Sequence, residues 1–285
     1  MVLRRGCPVL LLLLLSAVCT PPAVSAQSAL RRGAAVQAVP LAKHGQLLFG
    51  LGFAYEPGVT APLIAVTGDL FRWGIMQLTY AIADGVILEL RGDPYRVLSV
   101  ERFGEPLIEP DDGAENGKIT GAGDYFADVS FRLLGGPTGF AMGGRLGVSI
   151  PSSDEAEGLG TNTTDVRATL LGSYGRGPLR ITGDLGLAIL EAPVDFFEQN
   201  DVIAYSAELL YRPLQMLPMR VFVGINGRAS IRATVPPGTE DTGKVMLGLD
   251  YRTGRFLVDL GGGFGYVENS PDWSVATGAA LVLGG

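Results

Sequence analysis

Residues 179–190, which read LRITGDLGLAIL, alternate between apolar side chains and polar or small ones. Residues 202–212 (VIAYSAELLYR) and residues 219–232 (MRVFVGINGRASIR) repeat the alternation. Because successive side chains of a β-strand point to opposite faces, this period of two predicts three strands, each with one apolar face and one polar face. In the first stretch the apolar set is Leu179, Ile181, Leu185, Leu187 and Ile189.

The same pattern recurs along most of the chain and predicts about twelve strands, each close to the length that crosses a bilayer. The connections alternate, since those after even-numbered strands are short and those after odd-numbered strands are mostly longer and more polar. We therefore expect the all-β class: a transmembrane antiparallel β-barrel with short periplasmic turns and longer extracellular loops. A soluble sandwich also alternates, but it would need a second layer over every apolar face. The expected strands are 46–56, 69–83, 86–101, 124–134, 140–150, 164–174, 179–190, 202–212, 219–232, 244–252, 256–266 and 273–283.

The first 26 residues have the features of a secretory signal peptide. Arg4 and Arg5 form a basic start, residues 9–15 are apolar, and residues 24–26 (VSA) make a cleavage site of small residues. We expect export of the Sec type and a mature chain that begins at Gln27. Residues 27–44 then form a short periplasmic arm, and residues 45–285 form the barrel.

The composition excludes several classes of function. Both cysteines, Cys7 and Cys19, lie in the signal, so the mature chain has no disulfide and no cysteine-based site. The chain carries 29 acidic residues against 22 basic ones, two of which leave with the signal, so it has no electrostatic footprint for nucleic acid. The 41 glycines suit a strongly curved sheet.

Enzymatic chemistry has little support in the sequence. A membrane hydrolase needs a base beside a nucleophile, and the lone histidine, His44, precedes the first strand. The inward carboxylates show no spacing that singles out an acid and a base. The acidic outer loops match no complete calcium-binding pattern, so no metal, cofactor or catalytic residue is expected.

The inward faces of the strands carry charged residues of both signs, for which two interpretations stay open. Charged rings in a pore set its selectivity, and Arg220, Arg228 and Arg232 on one strand suggest a locally positive wall. Alternatively, the charges form a structural ladder of ion pairs between strands. The expected lumen-lining residues are Asp128, Arg132, Arg145, Arg167, Arg180, Asp184, Glu208, Arg220, Arg228, Arg232 and Asp259.

Aromatic residues occur near the strand ends in the outward phase. Two rings of such side chains at the two membrane interfaces are typical of barrels in lipid, although strand propensity alone also enriches Tyr and Phe. The expected interface residues are Tyr55, Tyr125, Tyr174, Tyr211, Tyr251, Tyr266 and Trp273.

One segment, residues 123–190, resembles a known family. It contains GDYFADVSFRLL, GFAMGGRLGVSIP, GLGTNTTDVRATLLGSY and ITGDLGLAIL in this order. It is similar to the transporter-like outer-membrane barrels of the MetA-pathway phenol-degradation family, in which a strand ends in Pro and a Gly-Leu-Gly-Thr segment and an Asp open the next strand. The resemblance implies an outer-membrane barrel that transports small or hydrophobic compounds, and it implies no catalytic residue. The matching residues here are Ile150, Pro151, Gly158, Leu159, Gly160, Thr161 and Asp165.

The function we expect is that of a transporter or channel for small or hydrophobic solutes in the outer membrane. Its partners would be outer-membrane lipid, the barrel-assembly machinery and a solute that the sequence does not name. The alternative is a non-conducting structural or surface-exposed barrel with acidic outer loops, and a membrane hydrolase ranks third.

Overall fold

The structure is a computed structural model that describes residues 39–110, 113–114, 116–193, 199–213 and 217–284. No helix among these residues is long and apolar enough to cross a membrane. The expected signal peptide (1–26), residues 27–38 of the expected arm and five acidic loop residues lie outside the described part: Asp111, Asp112, Glu115, Asp195 and Glu198.

The described chain is almost entirely β-strand and forms one antiparallel sheet, with a single short 3₁₀ helix at Glu155–Glu157. The strand segments are β1 (Leu47–Ala61), β2 (Val66–Trp73), β3 (Met76–Ala83), β4 (Val86–Gly92), β5 (Tyr95–Phe103), β6 (Lys118–Gly121), β7 (Tyr125–Gly135), β8 (Gly139–Ile150), β9 (Val166–Arg176), β10 (Leu179–Glu191), β11 (Gln199–Tyr211), β12 (Met219–Ser230), β13 (Thr242–Thr253), β14 (Phe256–Gly265) and β15 (Trp273–Leu283).

The sheet closes on itself because β1 pairs with β15, from Leu47 opposite Leu283 to Tyr55 opposite Val275. Three crossings consist of two segments each, namely β2 with β3, β4 with β5, and β6 with β7, so the fifteen segments make twelve crossings. The prediction of a closed twelve-stranded antiparallel barrel is confirmed.

The interruptions lie next to one another in the wall. The segments break at Gly74-Ile75, at Asp93-Pro94 and at residues 122–124. Neighbouring strands bridge the breaks, since the Ile75 amide donates to the Gly52 carbonyl and the Gly123 amide donates to the Asp93 carbonyl, both at 2.9 Å. Proline has no amide hydrogen to donate, so Pro94 separates the segment that ends at Gly92 from the one that begins at Tyr95.

The two ends of the barrel differ in their connections. At the turn end the strands join through short turns such as Asp84-Gly85, whereas residues 104–117, 151–165 and 231–241 form long connections at the opposite, loop end. One expected loop differs, because β1 continues to Ala61 where residues 57–68 were expected to leave the sheet. A bulge between Glu56 and Val59 absorbs Pro57 and Gly58, and the pairing with β2 resumes beyond it.

The inner and outer faces of the wall follow the predicted alternation. On β10, Leu185 and Leu187 are 59% and 60% exposed on the outside, while Thr182 and Ala188 are 1% and 4% exposed on the inside. A continuous outer surface of exposed Leu, Ile and Val on a closed barrel is a membrane-spanning surface, since closure gives every strand a hydrogen-bonded neighbour on each side. The candidate functional surface is therefore the inner face, which we call the lumen.

Candidate functional site: the barrel lumen

A belt of ion pairs crosses the lumen near the loop end. Lys244 on β13 pairs with Glu56 on β1, past the two intervening strands. Glu56 also lies 3.5 Å from Arg72, whose Nη2 lies 2.5 Å from Asp93 Oδ2. Arg96 joins the same Asp93 oxygen at 2.5 Å. Glu56 and Asp93 are buried, and their cationic partners offset the cost of burial.

A second group of charges lies nearer the middle of the wall. Arg91 on β4 pairs with Asp128 on β7 at 2.8 Å and with Glu89 at 3.0 Å. Glu89 also accepts hydrogen bonds from Gln77 Nε2 at 2.6 Å and from Thr79 Oγ1 at 3.2 Å. Each of these side chains is buried, so the group forms a cross-strand hydrogen-bonded network rather than a set of solvated charges.

Arg167 on β9 reaches this second group from its other side. Its Nη2 lies 3.6 Å from Asp128 Oδ1, and its guanidinium carbon lies 4.6 Å from the centre of the Phe126 ring. The Arg91 guanidinium lies 5.2 Å from the same ring centre. Phe126 therefore stands against two cations, an arrangement that the ring quadrupole favours.

The locally positive wall suggested for one strand is not what the structure shows. Arg220 Nη2 donates to Asp250 on the neighbouring strand at 2.8 Å. Arg228 donates to the carbonyls of Glu240 and Gly238, at 2.8 and 3.4 Å. Arg232 lies beyond the end of β12, is 41% exposed and pairs with Asp201 at 3.0 Å, so it is a rim residue and does not line the lumen. The contacts of these three arginines agree with the alternative interpretation, in which the charges form structural ion pairs and hydrogen bonds.

The other residues expected in the lumen lie on the inner face of their strands. Arg145, Glu208 and Asp259 are buried there, and Asp184 accepts a hydrogen bond from Ser206. Two arginines lie near the turn end: Arg180 Nη2 donates to the Pro137 carbonyl at 2.7 Å, and Arg132 extends across the turn that contains Gly85.

One side of the lumen wall is lined in its middle mainly by small residues. The inner faces of β14, β15 and β1 present mainly glycine and alanine, with Asp259 as the charged exception on β14. The small residues are Gly261, Gly263, Ala276, Gly278, Ala280, Gly50, Gly52 and Ala54. Larger side chains from other strands pack against this set, since Ala54 and Ala276 form one buried cluster with Ile75, Leu210, Phe222 and Met246.

The end of the N-terminal arm enters the lumen at the turn end. Val39, which is buried, contacts Ala141 and Leu171 on the inner faces of β8 and β9. Ala42 packs against inward residues that include Leu48, and its carbonyl accepts a hydrogen bond from the Gly85 amide at 3.1 Å. The described end of the arm therefore lies inside the barrel mouth.

A buried carboxylate, Asp124, fixes the loop at residues 151–165. Its Oδ1 accepts hydrogen bonds from the Ser153 hydroxyl at 2.8 Å and from the Ser153 amide at 3.3 Å, and its Oδ2 accepts one from the Thr161 amide at 3.0 Å. Leu159 of this loop packs against Ile64 and other inward residues at the loop end, and its carbonyl accepts a hydrogen bond from Arg96. The segment that carries the family resemblance thus covers part of the loop end of the lumen.

The aromatic residues expected at the membrane interfaces lie on the outer face or at its edge. Tyr174 and Tyr211 are exposed near the turn end, and Tyr266 and Trp273 are exposed near the loop end, while Tyr55, Tyr125 and Tyr251 are half-buried. The Tyr55 ring lies 5.3 Å from Trp273 and 4.6 Å from Phe71, centre to centre.

The described residues offer no arrangement typical of hydrolysis or metal binding. His44 is exposed at the turn end, where its backbone amide donates to Asp84 Oδ1 at 2.8 Å. Within the described ranges, no three His, Cys, Asp or Glu residues lie close enough together to hold a metal ion.

The structure of this barrel is similar to solved structures of outer-membrane barrels. It is similar to the crystal structure of the COG4313 outer membrane channel from Pseudomonas putida F1, with a TM-score of 0.58 and 15% identity over 85% of this chain and 97% of that one. The translocator domain of autotransporter NalP from Neisseria meningitidis gives a TM-score of 0.48 at 11% identity, over 83% of this chain and 88% of that one. No protein-family model and no curated protein matches the chain. The first similarity shows a shared barrel fold.

Several lumen residues of these networks were not predicted from the sequence. Glu56, Arg72, Asp93 and Arg96 lie at the bulge and the interrupted segments, where the simple alternation fails. Lys244 lies at an inward position of its strand, and this position in the alternation was sufficient to predict it as a lumen residue.

Proposed function

We propose that this chain is an outer-membrane channel that lets small solutes diffuse through its lumen. The closed twelve-stranded barrel is the observation that carries the proposal. Eight strands enclose an interior that side chains can fill, and the enclosed cross-section grows with the number of strands. A twelve-stranded barrel therefore encloses a wider cross-section, and the inward side chains of Arg167 and Arg220 keep part of their surface accessible inside it.

The resemblance to the MetA-pathway phenol-degradation barrels and the barrel fold of the Pseudomonas putida channel support the same proposal. Together they favour small or hydrophobic solutes, Sec-type export and insertion by the barrel-assembly machinery into outer-membrane lipid. No residue arrangement in the described part of the chain favours an enzyme, and we propose that the chain is not one.

The charged groups of the lumen give the proposed channel its mechanism. Paired charges such as Arg91 with Asp128 leave the wall without a large net field, so small solutes pass by diffusion. The arm end at Val39 and Ala42 narrows the mouth at the turn end, and its displacement widens the path.

Conductance in a planar bilayer tests the channel. We expect discrete current steps from the purified protein, and we expect Val39→Asp to raise the open probability because a carboxylate is costly against Ala141 and Leu171. His44→Ala, at the same rim but exposed, is the matched control and leaves the steps unchanged.

Silence from both the natural protein and Val39→Asp, across salts and voltages, would refute the channel and favour the non-conducting structural barrel. Folding of each variant is checked by its heat-dependent mobility in detergent gels.

A further inference from the structure

Four neighbouring strands of the wall carry an arginine at the turn-end mouth of the lumen. These residues, which we call the mouth arginines, are Arg180 on β10, Arg212 directly after β11, Arg220 on β12 and Arg252 on β13. Each lies at an inward position, because side chains two residues apart on a strand share a face. The residues two positions further into the barrel on the same strands are inward and buried or nearly so: Thr182, Leu210, Phe222 and Asp250.

The register of the sheet places the mouth arginines close to one level. The Arg212 amide donates to the Pro178 carbonyl at 2.9 Å, which extends the pairing of β10 with β11 by one residue. On the next pair of strands Arg220 lies opposite Asp250, two residues before Arg252. Because neighbouring strands lie about 4.8 Å apart, the four arginines occupy one side of the mouth.

The charges of the mouth arginines are only partly balanced. Arg220 lies close enough to Arg180 and Arg252 for its charge to repel theirs. Asp250 pairs with Arg220 at 2.8 Å, whereas Arg180 and Arg252 donate to neutral backbone carbonyls, at 2.7 and 3.1 Å. Among the described residues, no acidic side chain forms an ion pair with Arg180, Arg212 or Arg252.

The mouth arginines are accessible from the turn end. Arg212 is exposed, Arg180 and Arg252 are half-buried, and the Arg220 side chain keeps 22% of its surface accessible. The described end of the N-terminal arm packs against other strands, namely β8 and β9 on one side and β14, β15, β1 and β3 on the other. A solute in the compartment at the turn end therefore reaches the guanidinium groups directly.

The two rims of the barrel differ in charge. At the turn end Lys43, Arg176 and Arg255 are also exposed, and the exposed carboxylate of Asp84 lies across the mouth, on the turn between β3 and β4. At the loop end, within the described ranges, exposed carboxylates outnumber exposed basic groups, and they include those of Glu101, Glu105, Glu109, Asp154, Glu191 and Glu268. The field of the protein therefore attracts anions to the turn end rather than to the loop end.

The chemistry of the mouth arginines indicates which anion fits. Guanidinium groups present parallel N–H donors that match the oxygens of phosphate and carboxylate groups. Three guanidinium groups without an acidic partner favour a ligand with more than one negative charge. A phosphate group carries about 1.5–2 negative charges at pH 7 and has several acceptor oxygens, so it can accept from arginines on different strands at once.

We propose that the mouth arginines form a binding site for a phosphate group, either free phosphate or the phosphate of a larger molecule, at the turn end of the barrel. Arg180, Arg212 and Arg252 donate hydrogen bonds to its oxygens, and Arg220, which Asp250 holds in place, adds positive charge. This inference goes beyond the proposed channel, because binding at the mouth does not require conduction.

Inorganic phosphate and nitrate are the probes. Isothermal titration calorimetry on the full-length protein in a neutral detergent measures the binding of each. We expect nitrate to bind about tenfold more weakly than phosphate, because it carries a smaller charge. We also expect Arg212→Gln to weaken phosphate binding about three- to tenfold, because it removes charge-assisted hydrogen bonds at a partly exposed site.

Two further variants make the measurement specific. Arg212→Lys keeps the charge but not the two-pronged donor edge, so its affinity for phosphate falls between that of the natural protein and that of Arg212→Gln. Arg176→Gln removes an exposed arginine at the same end of the barrel, but from the outward position that follows Tyr174, and leaves phosphate binding unchanged.

Vesicles of two compositions identify the source of the phosphate group. The titration is repeated with the protein in phosphatidylcholine vesicles and in phosphatidylglycerol vesicles. Equal phosphate binding in the two shows that the site takes phosphate from solution. Binding that is lost only in phosphatidylglycerol shows that the headgroup of an anionic lipid occupies the same site.

Equal affinity for phosphate and nitrate in the natural protein, or no binding of either, would overturn the site, even if every variant at position 212 failed to fold. Unchanged phosphate binding in a folded Arg212→Gln would overturn it as well. Phosphate binding without conductance would refute the channel and keep the site, whereas conductance without phosphate binding would do the reverse.

Discussion

The hydroxyl oxygens of Tyr205 and Tyr266 lie 2.7 Å apart, although 61 residues separate the two tyrosines in the chain. Between them on the outer face lie the glycines of β12 and β13 that face each other, Gly227 and Gly243. The two rings extend over these glycines from opposite sides and meet as a hydrogen-bonded pair. The two rings thus cover the backbone of Gly227 and Gly243, which would otherwise be exposed on the outer face at the loop end of the wall.

Filling either glycine should displace a tyrosine. A methyl group at Gly227 would stand 2.6 Å from the Tyr205 hydroxyl oxygen and 2.5 Å from the Thr242 carbonyl oxygen. We expect Gly227→Ala to lower the free energy of unfolding by about 1–3 kcal/mol, as overpacking does. Urea unfolding in lipid vesicles measures it.

Gly136→Ala is the matched control, since a methyl group there has no atom within 4 Å. If Gly227→Ala has the same free energy of unfolding as this control, the strands around Gly227 accommodate the added methyl group without loss of stability.

The carboxylate of Asp124 should hold the loop at residues 151–165 in place. Asp124→Ala leaves the amides of Ser153 and Thr161 without their acceptor, at a cost of about 1–3 kcal/mol for each buried donor. We expect the loop to become sensitive to protease added outside vesicles while the barrel stays folded.

Asp154→Ala serves as the comparison, because it removes a single exposed hydrogen bond to the Ala156 amide. Equal cleavage rates in the two variants would mean that Asp124 does not fix the loop.

Asp165, just before β9, should make stability depend on pH. Burial raises the pKa of this carboxyl above its ordinary value, against the hydrogen bond from the Glu191 amide. The folded state therefore binds the proton more tightly than the unfolded state does, and stability falls as pH rises through the folded pKa. Below the ordinary pKa of an aspartate the penalty is absent.

We accordingly expect Asp165→Asn to be more stable than the natural protein at neutral pH, and the gap to disappear as the pH falls below the ordinary range of aspartate. Unfolding curves across this interval measure the gap. A gap that widened in acid would contradict the assigned direction.

Glu56 should contribute strongly to the ion-pair belt, because two cations converge on it. Glu56→Gln leaves Lys244 and Arg72 facing a neutral group. Removing one partner of a buried pair costs about 3–5 kcal/mol, so we expect a large drop in the free energy of unfolding.

Asp201→Asn breaks the exposed pair with Arg232 and should cost about 0–1 kcal/mol in the same assay. Similar losses in the two variants would mean that the belt is more hydrated than its burial indicates.

The fold was predictable because it depends on a local pattern. The side-chain period of two assigns Leu185 outward and Thr182 inward without knowledge of any partner strand, and the lengths of the connections assign the two ends. The extension of β1 to Ala61 was not predictable, because Pro57 and Gly58 read as a turn until the partner strand shows that a bulge accommodates them.

The lumen was predictable as a surface but not as a network. The alternation along each strand places Arg228 and Lys244 inside. The partner of Arg228, however, lies in a loop, and the partner of Lys244 lies on β1, beyond two intervening strands. Such contacts depend on how far the strands are staggered around the barrel and on where each side chain reaches, and neither is encoded in the alternation. For the same reason, the contact of Arg167 with the Phe126 ring could not be recognised from the sequence.

The pairing of β1 with β15 has a consequence for biogenesis. The first strand of the barrel to be synthesised, β1, has one of its two edges paired with the last strand of the barrel, β15. Until β15 is in place two strand edges stay open, and hydrocarbon has no water to satisfy them. Synthesis must therefore include β15 before insertion can finish. A chain truncated before Trp273 could not close the barrel and would be degraded.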